Sequence, residues 1–204
     1  MNLNGDGSFR IVVAEDQPVI AMELEALLAR LGHEVVGTAG DGEAALELVR
    51  VLRPDVLLTD IRMPGASGLE VAQALVADGL TLPVVVLTAY ENDELVDEAL
   101  AAGVGAYLVK PATEAQIAAA LRMAARRFEE FEALRSEMDG LRGALEARKL
   151  IERAKGLLVT HLGMDEEQAF LEIQKAARDR GVTLADAARR VIDAQALLRA
   201  QGKS

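Results

Sequence analysis

The chain has 204 residues, of which 51% are hydrophobic and 27% charged, so it can bury a sizeable core in one large domain or two small ones. It has no Cys and only two His, which excludes disulfide scaffolds and thiolate chemistry and argues against a His-built metal centre. No basic segment followed by an apolar run opens the chain, and no apolar run reaches the ~18 residues of a membrane span. We therefore expect a cytoplasmic protein with no membrane partner.

The net charge of −11 is unevenly distributed. Residues 1–125 hold 7 Lys and Arg against 19 Asp and Glu, whereas residues 141–204 hold 12 against 9. Such asymmetry predicts two modules with different partners. Because nucleic acid is polyanionic, only the second module is expected to bind it.

Five short apolar runs, each followed by a stretch of helical periodicity, make up the first half of the chain. Four of the five are nearly continuous rather than alternating, as expected for parallel strands that are buried on both faces. The runs are 11–14, 35–38, 56–59, 84–87 and 106–109, and the helical stretches are 18–30, 42–52, 67–78, 92–101 and 113 onward. The alternation predicts an α/β fold, a doubly wound five-stranded parallel (βα)₅ domain over residues 10–125, after a disordered N-terminus over residues 1–9.

A long helix without Pro is predicted to continue from the fifth strand toward the C-terminus. Its apolar positions follow a heptad-like spacing with one extra three-residue step, the pattern of a coiled coil that carries a stammer. They are Ile117, Leu121, Ala124, Phe128, Phe131, Leu134, Met138, Leu141 and Leu145. We therefore expect a coiled-coil linker over residues 126–145. Because exposed Phe and Leu side chains need covering, we also expect self-association.

The C-terminal residues 146–204 predict a three-helix domain. Its helices are expected at 146–161, 165–180 and 183–199. Asp165 begins the second helix, with Gln168 three residues later as a capping partner, and Thr183 with Asp186 repeats this signal for the third.

Polar side chains stand at the ends of four of the predicted strands, where ligands bind in doubly wound sheets. These side chains are Glu15 and Asp16 after the first strand, Asp60 after the third, Thr88 after the fourth and Lys110 after the fifth. Three clustered carboxylates repel one another unless a cation joins them, and an all-oxygen set suits Mg²⁺. A carboxylate beside that ion can attack phosphorus and form an aspartyl phosphate, while Lys110 neutralises the developing charge. The residues thus predict a phosphorylation site.

On these residues, and on the run from Thr59 to Gly65, residues 10–125 resemble the receiver domain of two-component response regulators. The resemblance implies phosphotransfer from the phosphohistidine of a sensor histidine kinase to Asp60. Such a domain is not expected to be an enzyme on other substrates, since it catalyses only its own phosphotransfer and slow dephosphorylation.

The same resemblance implies a magnesium site and a conformational switch. The metal ligands would be Asp16, Asp60 and the backbone carbonyl of Arg62, with Glu15 acting through water. Thr88 would move toward the phosphoryl group, and the aromatic Tyr107 would rotate inward with it. The bond between Lys110 and Pro111 is usually cis in this family, and Arg62 and Tyr90 occupy positions that tune the lifetime of the phosphoryl group.

The densest basic segment of the chain runs from Arg148 to Gly156. On a helix, Ala154 falls on the core side, whereas Lys149, Arg153 and Gly156 form a second stripe. Gly inside a helix costs about 1 kcal/mol relative to Ala. The close approach of a backbone, either from RNA or from a neighbouring helix, would explain the glycine at position 156.

Residues 141–199 are similar to the ANTAR domain, a small three-helix RNA-binding module of transcription antiterminators. The similarity lies in Ala154-Lys155-Gly156, Ala169-Phe170 and Asp186-Ala187-Ala188. It implies binding of paired RNA hairpins in nascent leader transcripts, which prevents a terminator from forming. Basic side chains are expected to dominate that binding, because Phe170 is expected in the core. The candidate RNA-binding residues are Arg148, Lys149, Arg153, Lys155, Gly156, Lys175 and Arg178.

The leading hypothesis is a response regulator whose phosphorylation on Asp60 promotes homodimerisation and RNA binding. The alternative is a DNA-binding response regulator that controls transcription initiation, although the basic residues spread over all three C-terminal helices instead of concentrating on one recognition helix. An aspartate-nucleophile phosphatase is excluded, because it needs a second acid two residues after the nucleophile and Arg62 stands there.

Overall fold

The computed structural model describes residues 7–89, 98–99 and 102–201, with side chains as far as Gln195. The chain divides between Glu132 and Ala133 into two compact units. Apart from Glu98 and Ala99, the predicted helix over 92–101 lies outside the described residues.

The first unit is built around a five-stranded parallel sheet. Its strands are β1 (Arg10–Ala14), β2 (Glu34–Ala39), β3 (Val56–Asp60), β4 (Val84–Thr88) and β5 (Ala106–Val109). They lie in the order β2-β1-β3-β4-β5, so the direction in which strands are added reverses at β1. In a doubly wound fold this reversal opens a crevice at the carboxyl ends of the strands, where ligands bind. The predicted fold is confirmed.

Helices cover both faces of the sheet and divide its core in two. They are α1 (Pro18–Arg30), α2 (Gly42–Leu52), α3 (Gly68–Ala77) and the beginning of α4 (Glu114–Leu162). Because successive side chains of a strand point to opposite faces, Leu57 packs with α2 and α3, whereas Leu58 packs with α1 and α4. Burial on both faces explains why the central strands are continuously apolar.

Side-chain caps fix where two of the helices begin. The Asp41 carboxylate accepts the N–H of Ala44 at 2.7 Å, and α2 begins at the residue after Asp41. Ser67 and Glu70 form a reciprocal capping box at the start of α3. The loop that leaves β3 is therefore held at its far end.

The predicted disorder of residues 1–9 is wrong at Phe9. Its side chain is 4% exposed, its N–H donates to Nδ1 of His33 at 3.2 Å, and the two rings stack with centroids 5.2 Å apart. A buried aromatic side chain contributes much apolar contact, so it can hold Phe9 in place just before β1. The polar, Gly-rich residues around Phe9 concealed this in the sequence. Residues 1–6 lie outside the described part of the chain.

The second unit is helical. The helix α4 continues without interruption to Leu162, so the prediction that a separate helix begins near residue 146 is wrong. No Pro stands in this part of α4 to end the helix. Two helices follow, α5 (Glu166–Arg180) and α6 (Leu184–Gln201). With the last turns of α4 they enclose a small core whose buried members are Ala154, Ile173, Ala177, Ala187 and Ala188.

The heptad-like stripe of α4 is buried at one end and exposed at the other. Ile117, Leu121 and Ala124 are buried in the first unit. Farther along, the stripe is exposed at Phe131, Leu134, Met138, Leu141 and Leu145. Pairing of this face as a coiled coil stays a prediction. Within the described residues, no helix is both long enough and apolar enough to span a bilayer.

Candidate functional site

The carboxyl ends of β1 and β3 bring two acidic side chains together near the crevice of the sheet. Glu15 follows β1 and is 2% exposed, and Asp60 is the last residue of β3 and is 8% exposed. Burying a carboxylate is costly unless hydrogen bonds or an opposite charge compensate for the lost hydration. Both groups therefore require partners.

Lys110, the residue after β5, supplies most of that compensation. Its Nζ lies 2.5 Å from Oε2 of Glu15 and 2.5 Å from Oδ2 of Asp60. Partial burial alone would lower the pKa of Lys110, but hydrogen bonds and charge attraction from Asp60 and Glu15 outweigh it and raise the pKa above its usual value. Lys110 is therefore a charged ammonium that bridges the two carboxylates.

The loop after β3 holds the other oxygen of Asp60. The backbone N–H of Arg62 donates to Oδ1 of Asp60 at 3.2 Å. The first residue of α3, Gly68, lets this loop close tightly, because a Cβ at that position would lie 2.1 Å from the carbonyl oxygen of Asp60. The carboxylate thus has one oxygen on the ammonium and the other on the backbone.

The acidic cluster fits a divalent cation. Glu15, Asp16 and Asp60 each offer one carboxylate oxygen, and these oxygens lie within 4.8 Å of one another. Lys110 is the ammonium that contacts two of these three carboxyl groups, Glu15 and Asp60. A donor set made only of oxygen suits Mg²⁺. The backbone carbonyl of Arg62 as a further ligand stays a prediction.

The two predicted switch residues lie on the neighbouring strands. Thr88 is the last residue of β4, is buried, and its carbonyl accepts the N–H of Lys110 at 2.6 Å. Tyr107 lies on β5 opposite Val86, is half-buried, and lines a cavity of about 340 Å³. The bond between Lys110 and Pro111 is cis, as the resemblance implies. Tyr90 lies outside the described residues.

The predicted RNA-binding side chains of the second unit lie mostly on its surface. The exposed ones are Arg148, Lys149, Arg153, Lys175 and Arg178. Lys149 pairs with Glu146 at 2.7 Å in an exposed ion pair, which contributes little stability and can exchange for another anion. These side chains are therefore available to phosphates, which is what the prediction requires.

Lys155 differs from the other predicted RNA-binding residues, because it already has two partners. Its Nζ lies 3.2 Å from Glu152 on the same helix and 3.3 Å from Glu166 at the start of α5. Only 14% of the side chain is exposed. The hydrogen bond to Glu152 raises the pKa of Lys155, and that to Glu166 adds to the rise. This lysine joins α4 to α5.

The surroundings of Gly156 and Phe170 bear on two sequence-based expectations. Gly156 is exposed, and a Cβ built on it meets no atom within 4 Å, so no neighbouring helix in the described part of the chain explains the glycine. Phe170 is 37% exposed, so the expectation that its ring lies in the core is wrong. On α5 the core positions next to it are filled by Ala169 and Ile173 instead.

Two family models match the chain. The response regulator receiver domain matches residues 11–122, and the ANTAR domain matches residues 139–192. The chain belongs to the response regulator family. The transcriptional regulatory protein PdtaR of Mycobacterium tuberculosis H37Rv is 43% identical to this response regulator over 184 residues, which cover 90% of this chain and 89% of PdtaR.

Solved receiver structures resemble the first unit of this response regulator. The receiver domain of the putative response regulator NarL from Mycobacterium tuberculosis is 37% identical with a TM-score of 0.56, and covers 58% of this chain and 97% of its own. The receiver domain of Klebsiella pneumoniae RstA, solved in its BeF₃-activated form, is 30% identical with a TM-score of 0.54. It covers 57% of this chain and 98% of its own. The receiver fold is thus found by sequence and by structure alike.

Two residues of these domains escaped the sequence reasoning. Gly68 in the receiver domain shapes the loop that holds Asp60, and a Gly directly after the helix cap Ser67 is the only local signal for that role. Glu166 in the ANTAR domain pairs with Lys155 across two helices. Residues eleven apart carry no periodic signal of contact, so no sequence pattern could have revealed this pair.

Proposed function

We propose that this response regulator is phosphorylated on Asp60 by a sensor histidine kinase, and that its ANTAR domain then binds hairpin RNA in nascent transcripts and prevents terminators from forming. The single observation that carries the proposal is the Asp60 carboxylate, buried beside Glu15 and bonded to Lys110 and the Arg62 N–H. Because RNA and the kinase's phosphohistidine would be met in the cytoplasm, that location is part of the proposal.

In the proposed reaction, an oxygen of Asp60 attacks the phosphorus of the phosphohistidine. The new P–O bond forms while the P–N bond breaks, and the imidazole nitrogen leaves with the electron pair. Lys110 keeps its positive charge beside Asp60 and stabilises the charge that gathers on the phosphoryl oxygens. Arg62 orients the carboxylate through its N–H.

Magnesium is the cofactor that this mechanism requires. Asp16 and Asp60 would hold it together with the backbone carbonyl of Arg62, while Glu15 would act through water. When bound, the ion neutralises charge on the transferring phosphoryl group. The close approach of three carboxylate oxygens in the acidic cluster supports this assignment.

The receiver domain is proposed to act only on itself. Beside the acceptor Asp60, the group two residues later is Arg62 and not a carboxylic acid, so no side chain there serves as the second acid of a phosphatase. The domain would catalyse its own phosphotransfer and its own slow dephosphorylation, and it would not turn over a separate substrate.

Phosphorylation would change the receiver surface through Thr88 and Tyr107. A phosphoryl group on Asp60 adds charge and hydrogen-bond acceptors at the end of β3, toward which the Thr88 hydroxyl at the end of β4 can move. Tyr107 lies on the strand next to the one that Thr88 ends, and it borders a cavity of about 340 Å³. Such a local change can bias a larger element, and α4 packs on the same domain.

A homodimer through α4 is proposed as the active form. The exposed apolar side chains of the stripe follow one another at intervals of three, four, three and four residues: Phe131, Leu134, Met138, Leu141 and Leu145. The same stripe of a second chain would cover them, as in a coiled coil. Two ANTAR domains would then be held at high local concentration for paired hairpins.

The dimer is tested by comparing two pairs of lysine substitutions. Leu134→Lys with Leu141→Lys charges the apolar stripe, whereas Ala133→Lys with Ser136→Lys adds the same charge on the exposed side of α4 away from the stripe. In beryllofluoride and Mg²⁺, sedimentation should give a dimer for the wild type and for this control, and a monomer for the leucine-site variant. A dimer of unchanged strength in the leucine-site variant would remove this part of the proposal.

The whole function is tested by a gel shift with leader hairpin RNA, with and without acetyl phosphate. Phosphodonor should strengthen binding by the wild type, whereas Asp60→Asn should bind as the untreated wild type does. Competition by duplex DNA distinguishes the DNA-binding alternative, because an RNA-binding regulator should keep its hairpin in excess DNA. If phosphodonor changes nothing, the proposed gating is wrong.

A further inference from the structure

On the exposed side of α4 within the ANTAR domain, the helix backbone is uncovered at one position that has no side chain. Gly156 is exposed, and a Cβ there would meet nothing within 4 Å. Gly140 and Gly143 of the same helix likewise have open space at the Cβ position, whereas at Gly105 a Cβ would lie 2.8 Å from that of Ala124. Gly destabilises a helix relative to Ala. Packing among the described residues therefore does not explain why position 156 holds Gly, which destabilises the helix relative to Ala.

The side chains around this glycine include two cations, a hydroxyl and the carboxylate of Glu152, which lies four residues before it and pairs with Lys155. Lys149 and Arg153 lie seven and three residues before Gly156, and Thr160 lies four residues after it, so all four share one side of the helix. All four are exposed, whereas Ala154, on the other side, is buried in the core. Arg153 makes no hydrogen bond or ion pair with any described residue. Arg153 and Lys149 thus offer two cations to a polyanion beside the glycine, although Lys149 must first exchange its exposed partner Glu146.

A second copy of α4 is a poor occupant of this surface. On the same side, the apolar stripe that runs through Leu141 ends at Leu145. Continued at the same intervals of three and four residues, it reaches Arg148, Glu152 and Lys155, none of which is apolar. In a parallel pair, each Arg148 would face its own copy and like charges would repel.

Lys155 does not belong to this surface, although it is next to Gly156 in sequence. Its ammonium is held between Glu152 and Glu166, and little of its side chain is exposed. It secures α5 against α4, while the exposed cations Lys149 and Arg153 lie on the side of Gly156. Lys155 therefore has a structural role, whereas its neighbour Gly156 lies on the exposed side of the helix.

We propose that Gly156 marks the point where the sugar–phosphate backbone of a paired RNA lies closest to α4, with Lys149 and Arg153 contacting phosphates beside it. The absence of a side chain lets the RNA backbone approach the helix closely, and the flanking cations supply the attraction. This inference rests on the proposed RNA binding and assigns the place on the ANTAR domain where it occurs.

The test compares Gly156→Ala with Gly143→Ala in the full chain. Both glycines lie inside α4 where an added Cβ would meet nothing within 4 Å, and Gly143 lies on the side away from the apolar stripe. Each substitution should raise the melting temperature, by about 2–4 °C, because Ala is the better helix former. Only Gly156→Ala should weaken RNA binding, by about tenfold or more.

The RNA probe is a pool of hairpins with randomised loops, enriched on the phosphorylated wild type. Failure of the wild type to enrich any hairpin would overturn the proposed function, whatever the variants do. If the wild type enriches hairpins and Gly156→Ala binds them as tightly, the inference about Gly156 is overturned while RNA binding stands. If Gly156→Ala instead weakens only the dimer, measured by sedimentation, a partner helix and not RNA occupies the surface.

Discussion

The receiver and ANTAR domains each hold a lysine between two carboxylates, yet the two arrangements do different work. Lys110 bridges Glu15 and Asp60, both of which are buried. Lys155 joins Glu152 and Glu166, whose side chains are 59% and 82% exposed. Buried charges interact strongly and cannot be exchanged for water, whereas exposed pairs contribute little.

The comparison teaches which kind of site can be found from its residues alone. The receiver site draws a few groups to one point, because parallel strands end at the same edge of a sheet. The ANTAR surface is spread along exposed helices, and its use depends on which cations are already paired.

The largest effect is expected from Lys110→Ala. Because Lys110 stabilises charge at the reacting oxygen of Asp60, its loss should slow phosphorylation by acetyl phosphate about 100–1000-fold. The rate of mass gain by the intact chain measures this. Lys155→Ala removes a lysine with a similar pair of neighbours and should leave the rate unchanged, so equal rates in Lys110→Ala and the wild type would contradict the assigned role.

A large effect on stability is expected from Ile173→Ala. Among the fully buried residues of this core Ile173 is the one large side chain beside four alanines, and partly buried Leu, Ile and Val side chains pack around it, so its truncation should lower the free energy of unfolding of the ANTAR domain by about 2–5 kcal/mol. Denaturant unfolding followed by circular dichroism measures it. The exposed Leu171 is the matched control, and Leu171→Ala should change stability by no more than about 0.5 kcal/mol.

Ile173→Ala also sharpens the comparison between the domains. The receiver site contains no residue of the ANTAR core, so the variant should still be phosphorylated by acetyl phosphate while it loses hairpin binding. Loss of phosphorylation in this variant would mean that the acceptor site depends on the second unit.

A smaller effect is expected from Arg153→Ala on RNA binding. If Arg153 contacts one phosphate, its removal should reduce the slope of log affinity against log salt concentration by about 0.7–0.9. Arg180→Ala removes an exposed arginine outside the predicted RNA-binding set and should leave the slope unchanged. Identical slopes in both variants would count against phosphate contact by Arg153.

The smallest effect is expected from His33 and pH. Burial, aided by the positive charge of Arg122, lowers the pKa of His33 below its ordinary 6.5, and its neutral Nδ1 accepts the N–H of Phe9. The unfolded chain therefore takes up a proton first as the pH falls below 6.5, which favours unfolding. Melting temperatures from pH 7.5 to 5.5 should fall more steeply for the wild type than for His33→Gln. Parallel curves would show that this contact has no part in acid sensitivity.

The sequence was sufficient for the receiver fold and for the members of its acidic cluster. Continuous apolar runs marked buried parallel strands, and Glu15, Asp60 and Lys110 stood at their ends. Phe9 was missed because its neighbours are polar and glycine-rich. The uninterrupted course of α4 was missed because a change of domain does not require a break in a helix.

The ANTAR surface was less predictable, since exposure and pairing are properties of the folded chain. Periodicity placed Ala154 in the core and Arg153 outside it, and both placements agree with the structure. It could not reveal that Glu166 neutralises Lys155, or that the ring of Phe170 is partly exposed. Both depend on how α5 packs against α4.

The most direct test of the account is the mass of the intact chain after incubation with acetyl phosphate and saturating Mg²⁺. The account predicts a gain of one phosphoryl group that maps to Asp60. This gain should not occur when a chelator is present from the start of the incubation, and it should not occur in Asp60→Asn. An unmodified wild type, or an Asp60→Asn variant that gains the same mass, would contradict it.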